Sequence, residues 1–417
     1  MRRVAGPDTL SLAGFRAWRY APRIPLGAVL APPYDVVERD EALALAHRDE
    51  HNVVRLVLPV GPDPAAAAAR TLSTWIAEGV VVPDELDALY VYEQSEGTRV
   101  LQRGVIGALG LGDPEGGAVL AHEDVMPGPV EDRTRLMAAT GANLEPIWLL
   151  FHGDDATTTR TVDEVATTQP LAQAVTPDGL RHRLWALTDP ETLARVARDL
   201  AGRQALVADG HHRLAAYRRL RAGRPGGPWE RGLALLVDLQ AYPPRLAAIH
   251  RHVDGVVPAR ASAPQGVRLE DAGAEWWDRL PRLSAGEMLL VGPGGEARVA
   301  RVDDRAAVDR TVRAALAPDE RPPQWRALDT VVLHHVVLPA WGVPDEAVTY
   351  HHDAEHAVRR AAEAGGTAVL LAPVDIGTVF DLAGRGVRMP RKSTSFWPKP
   401  RSGLLLRVLE PPVTSAG

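Results

Sequence analysis

The chain has 417 residues, of which 46% are hydrophobic and 24% charged, a balance typical of globular proteins large enough for more than one core. Forty-seven basic residues against fifty-three acidic ones give a formal net charge of −6, which excludes a global basic field for nucleic acid or anionic membranes. The absence of cysteine excludes disulfides, thiolate nucleophiles and cysteine-ligated metal centres.

The sequence carries no recognisable membrane or export signal. No run of roughly 18 apolar residues occurs, and the opening "MRRVAGPDTLSLAGFRAWRY" lacks the sustained apolar stretch of a signal peptide. We therefore expect a cytoplasmic protein that does not enter the membrane.

The first part of the chain alternates helical and strand patterns. "ERDEALALAHR" has helical spacing, "NVVRLVLP" reads as a strand, and the alanine run in "GPDPAAAAARTLSTWIAEG" predicts a helix that begins after Asp-Pro. "ALYVYEQSEGTRVLQRGVIGALGL" predicts a hairpin with Glu-Gly at its turn.

The middle part continues as α/β units. "LAHEDVMPGPVEDRTRLMAATGANLEPIWLLF" predicts an exposed polar loop with His122 and Glu123, then a helix and a buried strand. "RHRLWALTDPETLARVARDLAGRQALVADGHHRLAAYRRLRAG" predicts strand, helix, strand, helix, with Asp189 as a helix cap.

The last part mixes hairpin, helix and loop signals. "PGGEARVARV" suggests a hairpin, "TVVLHHVVLPAWG" a buried helix or strand, and "DAEHAVRRAAEAGGTAVLLAP" a capped helix before a strand. "VRMPRKSTSFWPKPRSGLLLRVLE" reads as a basic loop followed by a final strand. We predict a mixed α/β protein of three consecutive parts: an N-terminal subdomain over 1–115, a core over 116–260 and a C-terminal subdomain over 261–417.

One junction concentrates polar chemistry, at "LVADGHHRLAAYRRLRAG". Asp209 and Gly210 fall at a predicted strand-to-helix turn, where backbone N–H groups and the positive helix end attract anions. Gly210 would let a phosphate approach the backbone, and Arg213 with His211 or His212 would add charge-assisted hydrogen bonds. Asp209 could hold Mg²⁺ or orient a hydroxyl group.

The alternative is that Asp209 simply caps the helix and the two histidines are solvated. Zinc is a weaker hypothesis, because adjacent helical histidines point about 100° apart and cannot easily share an ion. The glycine-rich phosphate loop, the dinucleotide fingerprint and the Gly-x-Ser-x-Gly elbow are all missing from the sequence.

"ADGHHR" resembles the phosphate-binding motif of the ParB/sulfiredoxin-like superfamily, and looks most like the "VDGHHR" box of archaeal free serine kinases. The ordered motifs "APPYDVV", "NVVRLVLP", "HED…EDR", "ADGHHR" and "KSTSFWPKPRSGLL" together are similar to DUF1015, a bacterial family of unknown function. The match runs nearly end to end. It implies a ParB/sulfiredoxin-like core and phosphorylation of free serine with pyrophosphate as donor.

The resemblance also implies site residues. The kinases have a Pro-His-Glu segment whose glutamate takes the serine hydroxyl proton, which makes Glu123, beside His122, the candidate base. Their Lys-Thr-Thr segment corresponds to Lys392, Ser393 and Thr394, as a second phosphate or substrate contact. This sequence departs from the kinases in having Ala121 in place of proline and roughly ninety residues between the two boxes.

Phosphoryl transfer needs an acceptor hydroxyl, a group to take its proton, and cations or N–H donors around the phosphoryl group. Glu123, the Asp209 turn, Arg213 and Lys392 could supply these parts, with Mg²⁺ bridging the donor phosphates and Asp209 or Glu123 as its ligand. Substrate contacts could come from three further residues, Tyr34, Asp35 and Arg133. Simple turn chemistry explains the first two equally well, and an ion pair with Asp132 explains Arg133.

The residues and the resemblance together predict a Mg²⁺-dependent phosphotransferase that acts on a small hydroxyl-bearing metabolite. The resemblance implies that this metabolite is L-serine, converted to O-phosphoserine with pyrophosphate, ATP or ADP as donor. One alternative is a ParB-like regulator that binds nucleotides or nucleic acid without turnover, although the net charge argues against nucleic acid. Another is a phosphoanhydride hydrolase with water as acceptor. The oligomeric state is left open.

Overall fold

The computed structural model of the chain describes residues 9–112, 117–154 and 156–410. Contacts group the chain into two units. Unit 1 takes the described residues of Met1–Ala121, Val125–Pro244 and Pro398–Gly417, and unit 2 takes His122–Asp124 and Arg245–Trp397.

Neither unit is one continuous stretch of chain, and the grouping differs from the three consecutive parts predicted from the sequence. Residues 104–110 of strand Arg99–Gly110, from the predicted first part, pair with strand Arg231–Asp238, from the predicted second part. Strand Arg407–Val408, near the C-terminus, pairs with Ala142–Asn143. The pairing of strands from distant segments determines which residues group into each unit. The composition along the chain does not reveal this pairing.

Unit 1 is built on a mixed sheet of nine strands among the described residues. Most neighbours are antiparallel, while Val119–Leu120 with Ala205–Asp209, and Ile147–Phe151 with Arg231–Asp238, are parallel. The path across the sheet runs Val119–Leu120, Ala205–Asp209, Ile147–Phe151, Arg231–Asp238, Arg99–Gly110, Leu89–Glu96, Arg181–Leu187, Ala172–Val175, with Leu12–Ala13 beside Arg99–Gly110.

The central strands of this sheet are continuous apolar runs buried along their whole length, as strands covered on both faces should be. Two smaller pairs complete the strands of unit 1, namely Trp18–Tyr20 with Val81–Pro83 and Ala142–Asn143 with Arg407–Val408. The helices are Leu26–Val29, Arg39–Arg48, Val54–Val57, Pro64–Ala77, Pro127–Thr140, Thr157–Val165, Pro190–Ala201, His211–Gly223 and the 3₁₀ turn Pro228–Glu230.

Unit 2 contains a six-stranded sheet in which every described pairing is antiparallel. Its path is Val267–Asp271, Ala297–Val302, Glu287–Val291, Thr367–Leu371, His250–Val253, Val348–His351, and Arg245–Ala247 pairs separately with Ser395–Trp397. The helices are Arg305–Leu316, Pro323–Arg326, Asp329–Val332, the π-helical Leu333–Val337, Leu338–Ala340, Ala354–Ala364 and Ile376–Gly384, with 3₁₀ turns at Pro258–Arg260, Trp276–Arg282 and Asp345–Ala347.

The α/β prediction is confirmed, and so are most predicted elements. The alanine run forms helix Pro64–Ala77 with Asp63 as its cap, and Asp189 accepts a hydrogen bond from Thr192 N at the start of Pro190–Ala201. The predicted hairpin is the antiparallel pair Leu89–Glu96 and Arg99–Gly110.

One predicted element is wrong. "NVVRLVLP" contains the short helix Val54–Val57 and no strand. The Asn52 side chain accepts from Val54 N at 3.0 Å, which starts a helical turn, and burial of Val54, Leu56 and Val57 outweighs their preference for strands. "TVVLHHVVLPAWG" resolves as helix, and "RVLE" retains only the two-residue strand Arg407–Val408.

Among the described residues, no helix combines the length and apolar character needed to cross a bilayer.

The sheet of unit 1 contains a buried carboxylate held by two arginines. Glu93 is fully buried, and its two oxygens accept from Arg103 Nε at 2.8 Å and from Arg183 Nε at 2.9 Å. Both guanidinium groups also donate a second bond at 2.5 Å. Because the carboxylate is shielded from water, its charge depends on these partners.

We expect Glu93→Gln to lower the free energy of unfolding by about 2–3 kcal/mol, since a neutral amide cannot balance two arginines and presents one fewer acceptor. Equilibrium urea unfolding followed by tryptophan fluorescence measures the change. Glu191→Gln, on the exposed start of helix Pro190–Ala201, is the control and should cost less than about 1 kcal/mol. Equal effects of the two substitutions would contradict this account.

Candidate functional site

The Asp-Gly turn predicted from the sequence is present in unit 1. Asp209 ends strand Ala205–Asp209, Gly210 has φ +96° and helix His211–Gly223 follows. A Cβ at position 210 would lie 2.9 Å from Ile147 Cγ2 and 3.1 Å from Arg213 Nε. The glycine is therefore required by its positive φ and by packing of the protein itself, whereas the sequence suggested that it opens the backbone to an anion.

Asp209 does not cap the helix, so the capping alternative is wrong. The N-cap is Gly210, and no side chain bonds to the first turn as a cap. The Asp209 carboxylate instead contacts Arg213 Nη2 through one oxygen and Lys399 Nζ, at 2.6 Å, through the other.

Lys399 joins two carboxylates from distant parts of unit 1. Its Nζ lies 2.8 Å from Asp35 Oδ2 as well as 2.6 Å from Asp209 Oδ1. Asp209, Arg213 and Lys399 are buried, while the Asp35 side chain keeps a third of its area exposed. We call Asp35, Asp209, Arg213 and Lys399 the unit 1 charge cluster; with all four ionised its formal charge is zero.

The pKa values follow from burial and from these pairings. Burial raises the pKa of Asp209, and the neighbouring Asp35 raises it further, so that Lys399 and Arg213 only partly offset the shift. Burial acts in the same direction on Asp35, but Lys399 and Arg213 hold its pKa well below the ordinary range. Burial disfavours the charge of Lys399, yet the two carboxylates raise its pKa above normal. The cluster thus separates the pKa values of the two carboxyls, and Asp209 takes a proton more readily than Asp35.

Of the predicted substrate residues, Asp35 belongs to this cluster, and Tyr34 and Arg133 are linked to it through ring contacts. The Tyr34 ring lies between two guanidinium groups, with Cζ of Arg133 4.2 Å and Cζ of Arg213 5.8 Å from its centroid. Tyr34 N donates to Glu145 Oε1 at 3.2 Å, and Ser402 Oγ donates to the same oxygen at 2.5 Å. Their role in substrate binding stays a prediction.

Two of the predicted phosphate contacts are already engaged by the protein. Arg213 is buried and donates to Pro146 O at 2.5 Å in addition to Asp209. His212 Nε2 accepts from Met126 N at 3.1 Å, and His211 beside it is half-buried. Arg213 therefore holds the turn in place, and direct phosphate contact through its guanidinium would require these bonds to rearrange.

A second set of predicted residues assembles in unit 2. His122, expected in an exposed loop, is buried, and its Nε2 lies 2.8 Å from Thr394 Oγ1. Glu123 Oε1 accepts from Lys392 N at 2.7 Å. The exposure prediction is wrong for His122, because segment 389–394 packs on the His-Glu pair with Met389 N bonded to His122 O. Residues 124–126 of the same loop are exposed, as predicted.

Lys392 has unusual backbone geometry, with φ +60°, a region that residues other than glycine seldom adopt. Its carbonyl accepts from Arg251 Nη2 at 2.9 Å. In the described part of the chain, no carboxylate lies within 4.0 Å of Lys392 Nζ. We call His122, Glu123, Arg251, Lys392 and Thr394 the unit 2 cluster.

Ser393, also predicted to bind phosphate, is buried beneath this segment. Its hydroxyl donates to Pro390 O at 2.6 Å and lies 3.3 Å from Thr330 Oγ1. These bonds assign Ser393 to shaping the segment, in which Arg391 is exposed and Lys392 is half-buried.

The donor set of Asp209 does not fit the predicted magnesium ligand. Both of its oxygens face cations, which would repel a divalent metal and would have to leave before it could coordinate. Within residues 9–112, 117–154 and 156–410, no group of three or more His, Asp or Glu side chains could hold a metal ion. We therefore assign no protein ligand to Mg²⁺.

Sequence reasoning missed Lys399, although the sequence contains a signal for it. Lys392 and Lys399 are the only lysines in the chain, and the other 45 basic residues are arginine. A chain that uses arginine almost everywhere keeps lysine where a compact ammonium is needed, and Lys399 contacts two carboxylates at once. Glu145 and Ser402 carried no comparable signal.

The family model described as "Protein of unknown function (DUF1015)" matches residues 12–329, more than half of the chain. The chain belongs to the DUF1015 family. This confirms the resemblance to the family. The matched range contains the first four of the ordered motifs, including the Asp209 turn, and ends before "KSTSFWPKPRSGLL". No curated protein matches the sequence.

Several solved structures show distant similarity. A free serine kinase variant in complex with ADP shares 14% identity, with 73% of this chain and 92% of that chain covered and a TM-score of 0.37. A conserved hypothetical protein from Pyrococcus furiosus shares 15% identity over 73% and 95%, with a TM-score of 0.36. SbnI with a C-terminal truncation, from Staphylococcus aureus, shares 10% over 73% and 87%, also at 0.36.

Lys399→Met should destabilise the protein by about 3 kcal/mol or more near pH 7.5, because two carboxylates lose their shared cation while the apolar stem is kept. Without the ammonium, the folded-state pKa values of Asp35 and Asp209 rise above their unfolded values, so stability is regained as the pH falls. The deficit relative to wild type should therefore shrink towards pH 5. Urea unfolding at both pH values measures it.

Lys392→Met is the control, since its ammonium has no ion pair among the described residues. It should leave the unfolding free energy within about 1 kcal/mol of wild type at both pH values. A deficit of Lys399→Met that does not change with pH would contradict the proposed coupling.

Proposed function

We propose that the protein is a phosphotransferase that moves a phosphoryl group from a phosphoanhydride donor to the hydroxyl of a small metabolite. The observation that carries the proposal is the contact between the Glu123 side chain and the backbone of Lys392. The Glu123 carboxylate accepts from the backbone N–H of Lys392, whose ammonium has no ion pair among the described residues. A proton acceptor and an uncommitted cation are the two groups that this chemistry asks of a protein.

In the proposed reaction, the acceptor oxygen attacks the terminal phosphorus while the bond from that phosphorus to the bridging oxygen of the donor breaks. Glu123 takes the hydroxyl proton, and the leaving phosphate keeps the electron pair of the broken bond. Lys392 balances negative charge on the phosphoryl oxygens. His122, bonded to Thr394, and Arg251, bonded to Lys392 O, hold this segment in position.

The Asp209 turn of unit 1 supplies the second element of the proposal. The first-turn N–H groups of helix His211–Gly223 favour phosphate oxygens, and the histidines offer further donors. Asp209 and Arg213 act by fixing the turn, with Lys399 completing the charge balance. Tyr34, Asp35 and Arg133 are proposed to contact the acceptor.

We propose L-serine as the acceptor and pyrophosphate as the donor, with ATP or ADP as alternatives, because the motif set resembles that of the free serine kinases. Mg²⁺ is included as an ion bound to the phosphates of the donor, since Asp209 does not fit as its ligand. When bound there, it would neutralise phosphate charge.

Phosphorus NMR of the purified protein with Mg²⁺ and L-serine tests the proposal, with pyrophosphate, ATP and ADP in separate tubes. We expect an O-phosphoserine signal with at least one donor, and its loss when EDTA removes the metal. Phosphate release that does not depend on serine would instead indicate a hydrolase. Intact donors in all tubes, together with a salt-sensitive shift of DNA, would favour the regulator.

Glu123→Gln should lower the transfer rate about 10²- to 10⁴-fold, because the amide cannot accept the hydroxyl proton. Asp124→Asn is the matched control, since it removes a carboxylate from the exposed neighbouring position and should leave the rate within about threefold of wild type. Initial rates from the same NMR assay compare the two. Equal activity of Glu123→Gln and wild type would remove Glu123 from the mechanism.

A further inference from the structure

Unit 2 contains a cavity that has no part in the proposed reaction. Its volume is about 400 Å³, within the range of small-molecule sites. Apolar side chains form much of its wall, among them Val302, Val308, Leu328, Val332 and Val374. Such a lining favours a ligand with an apolar body.

The charged groups of this cavity are three aspartates and two arginines. Asp309 is neutralised by Arg326 Nε at 2.5 Å and by Arg313 Nε at 2.8 Å. Asp375 caps helix Ile376–Gly384 by accepting from Thr378 N at 2.9 Å. These two carboxylates are therefore accounted for by the protein.

Asp329 is the exception. It is only 8% exposed, and Gly286 N, at 2.7 Å from Oδ1, is its only hydrogen-bond donor among the described residues. No basic side chain of the described chain lies within 4.0 Å of its carboxylate. A buried carboxylate normally has a paired cation, because burial without one is costly.

The backbone around Asp329 is also unusual. Asp329 begins helix Asp329–Val332, which passes directly into the π-helical turn Leu333–Val337. Turns of this type are rare and often occur at functional sites. The cavity wall residue Val332 lies at the junction.

We infer that this cavity binds a small organic cation, with a primary ammonium group paired to Asp329 and an apolar body against the aliphatic wall. The ammonium would supply both the positive charge and the hydrogen-bond donors that the carboxylate lacks. An anionic ligand is disfavoured because aspartates outnumber arginines in the lining. The site is independent of the proposed phosphotransfer.

Two sources share this chemistry, a simple amine and an apolar α-amino acid. Arg305 also lines the cavity and has no ion pair among the described residues. An α-carboxylate could pair with it, whereas a simple amine would leave it in solvent. The experiment distinguishes the two sources by comparing ligands with and without this carboxylate.

Binding should depend on pH through Asp329. Burial raises the pKa of its carboxyl to about 6, with Arg305 lowering and Glu287 raising it to a smaller extent. The remaining charged groups of the lining, Asp309, Arg326 and Asp375, are held in the contacts described above. Because the ammonium needs the ionised carboxylate, affinity should increase as the pH rises through 6.

Isothermal titration calorimetry of the full chain with three probes tests the inference. The probes are 2-phenylethylamine, L-phenylalanine and 3-phenylpropionate, which share an aromatic body and differ in their charged groups. We expect one equivalent of 2-phenylethylamine or L-phenylalanine to bind, with 3-phenylpropionate at least tenfold weaker. Tighter binding of L-phenylalanine identifies an amino-acid site, and tighter binding of 2-phenylethylamine a simple amine site.

Asp329→Asn should weaken the better probe at least tenfold and abolish the rise in affinity through pH 6. Because the amide still accepts from Gly286 N and removes an unpaired buried charge, this variant should melt no lower than wild type at pH 7.5. Asp303→Asn is the matched control, since it makes the same charge change at an exposed position outside the lining and should bind as wild type does.

Ala285→Trp provides a second variant, which occupies the cavity from an exposed turn without altering Asp329. It should also weaken the better probe at least tenfold. The inference is overturned if 3-phenylpropionate binds as tightly as the better cationic probe, if no probe binds, or if both cavity variants bind like wild type.

Discussion

Charge neutrality around Asp209 is the constraint on which the turn of unit 1 depends. A carboxylate at the end of a buried strand has lost its water, and Arg213 and Lys399 replace it. The Lys399 ammonium also pairs with Asp35, so segments far apart in the chain must meet at this cluster. Removing one member would leave the buried cluster with an unbalanced charge, which is costly where water is excluded. The cluster therefore ties the Asp-Gly turn to both ends of the chain.

The two lysines use the same chemical group in different ways. Lys399 is buried between two carboxylates, where a compact ammonium with three donors fits better than a planar guanidinium. Lys392 is half-buried on a backbone of positive φ, and no carboxylate within ion-pair distance competes for it in the described chain. One lysine thus stabilises the fold and the other is suited to an external anion. Lys392 and Lys399 lie within one short segment, so a structural role and a chemical role are close together in the sequence.

Asp209 and Asp329 differ in how their charges are balanced. Asp209 is buried at the end of a strand and Asp329 at the start of a helix, and burial raises the pKa of both. Asp209 has two cations in contact, whereas Asp329 faces a cavity and, among the described residues, has only a backbone N–H as partner. A carboxylate completed by its own protein is committed to the fold. A buried carboxylate that faces an apolar cavity without a paired cation can be neutralised only by a bound ligand or by a proton.

The sequence by itself determined the local elements and the residue types of the chemistry. Hydrophobic periodicity and caps such as Asp63 and Asp189 act between neighbouring residues, so the helices and the Asp-Gly turn could be predicted. The ordered motifs likewise identified the family. The tertiary structure alone decided that Asp209 meets Lys399, that His122 is buried and that Arg213 is already engaged. It also decided that no cation of the described chain pairs with Asp329. Those outcomes depend on which distant segments pair, because burial and charge balance are properties of neighbours in space and not along the chain.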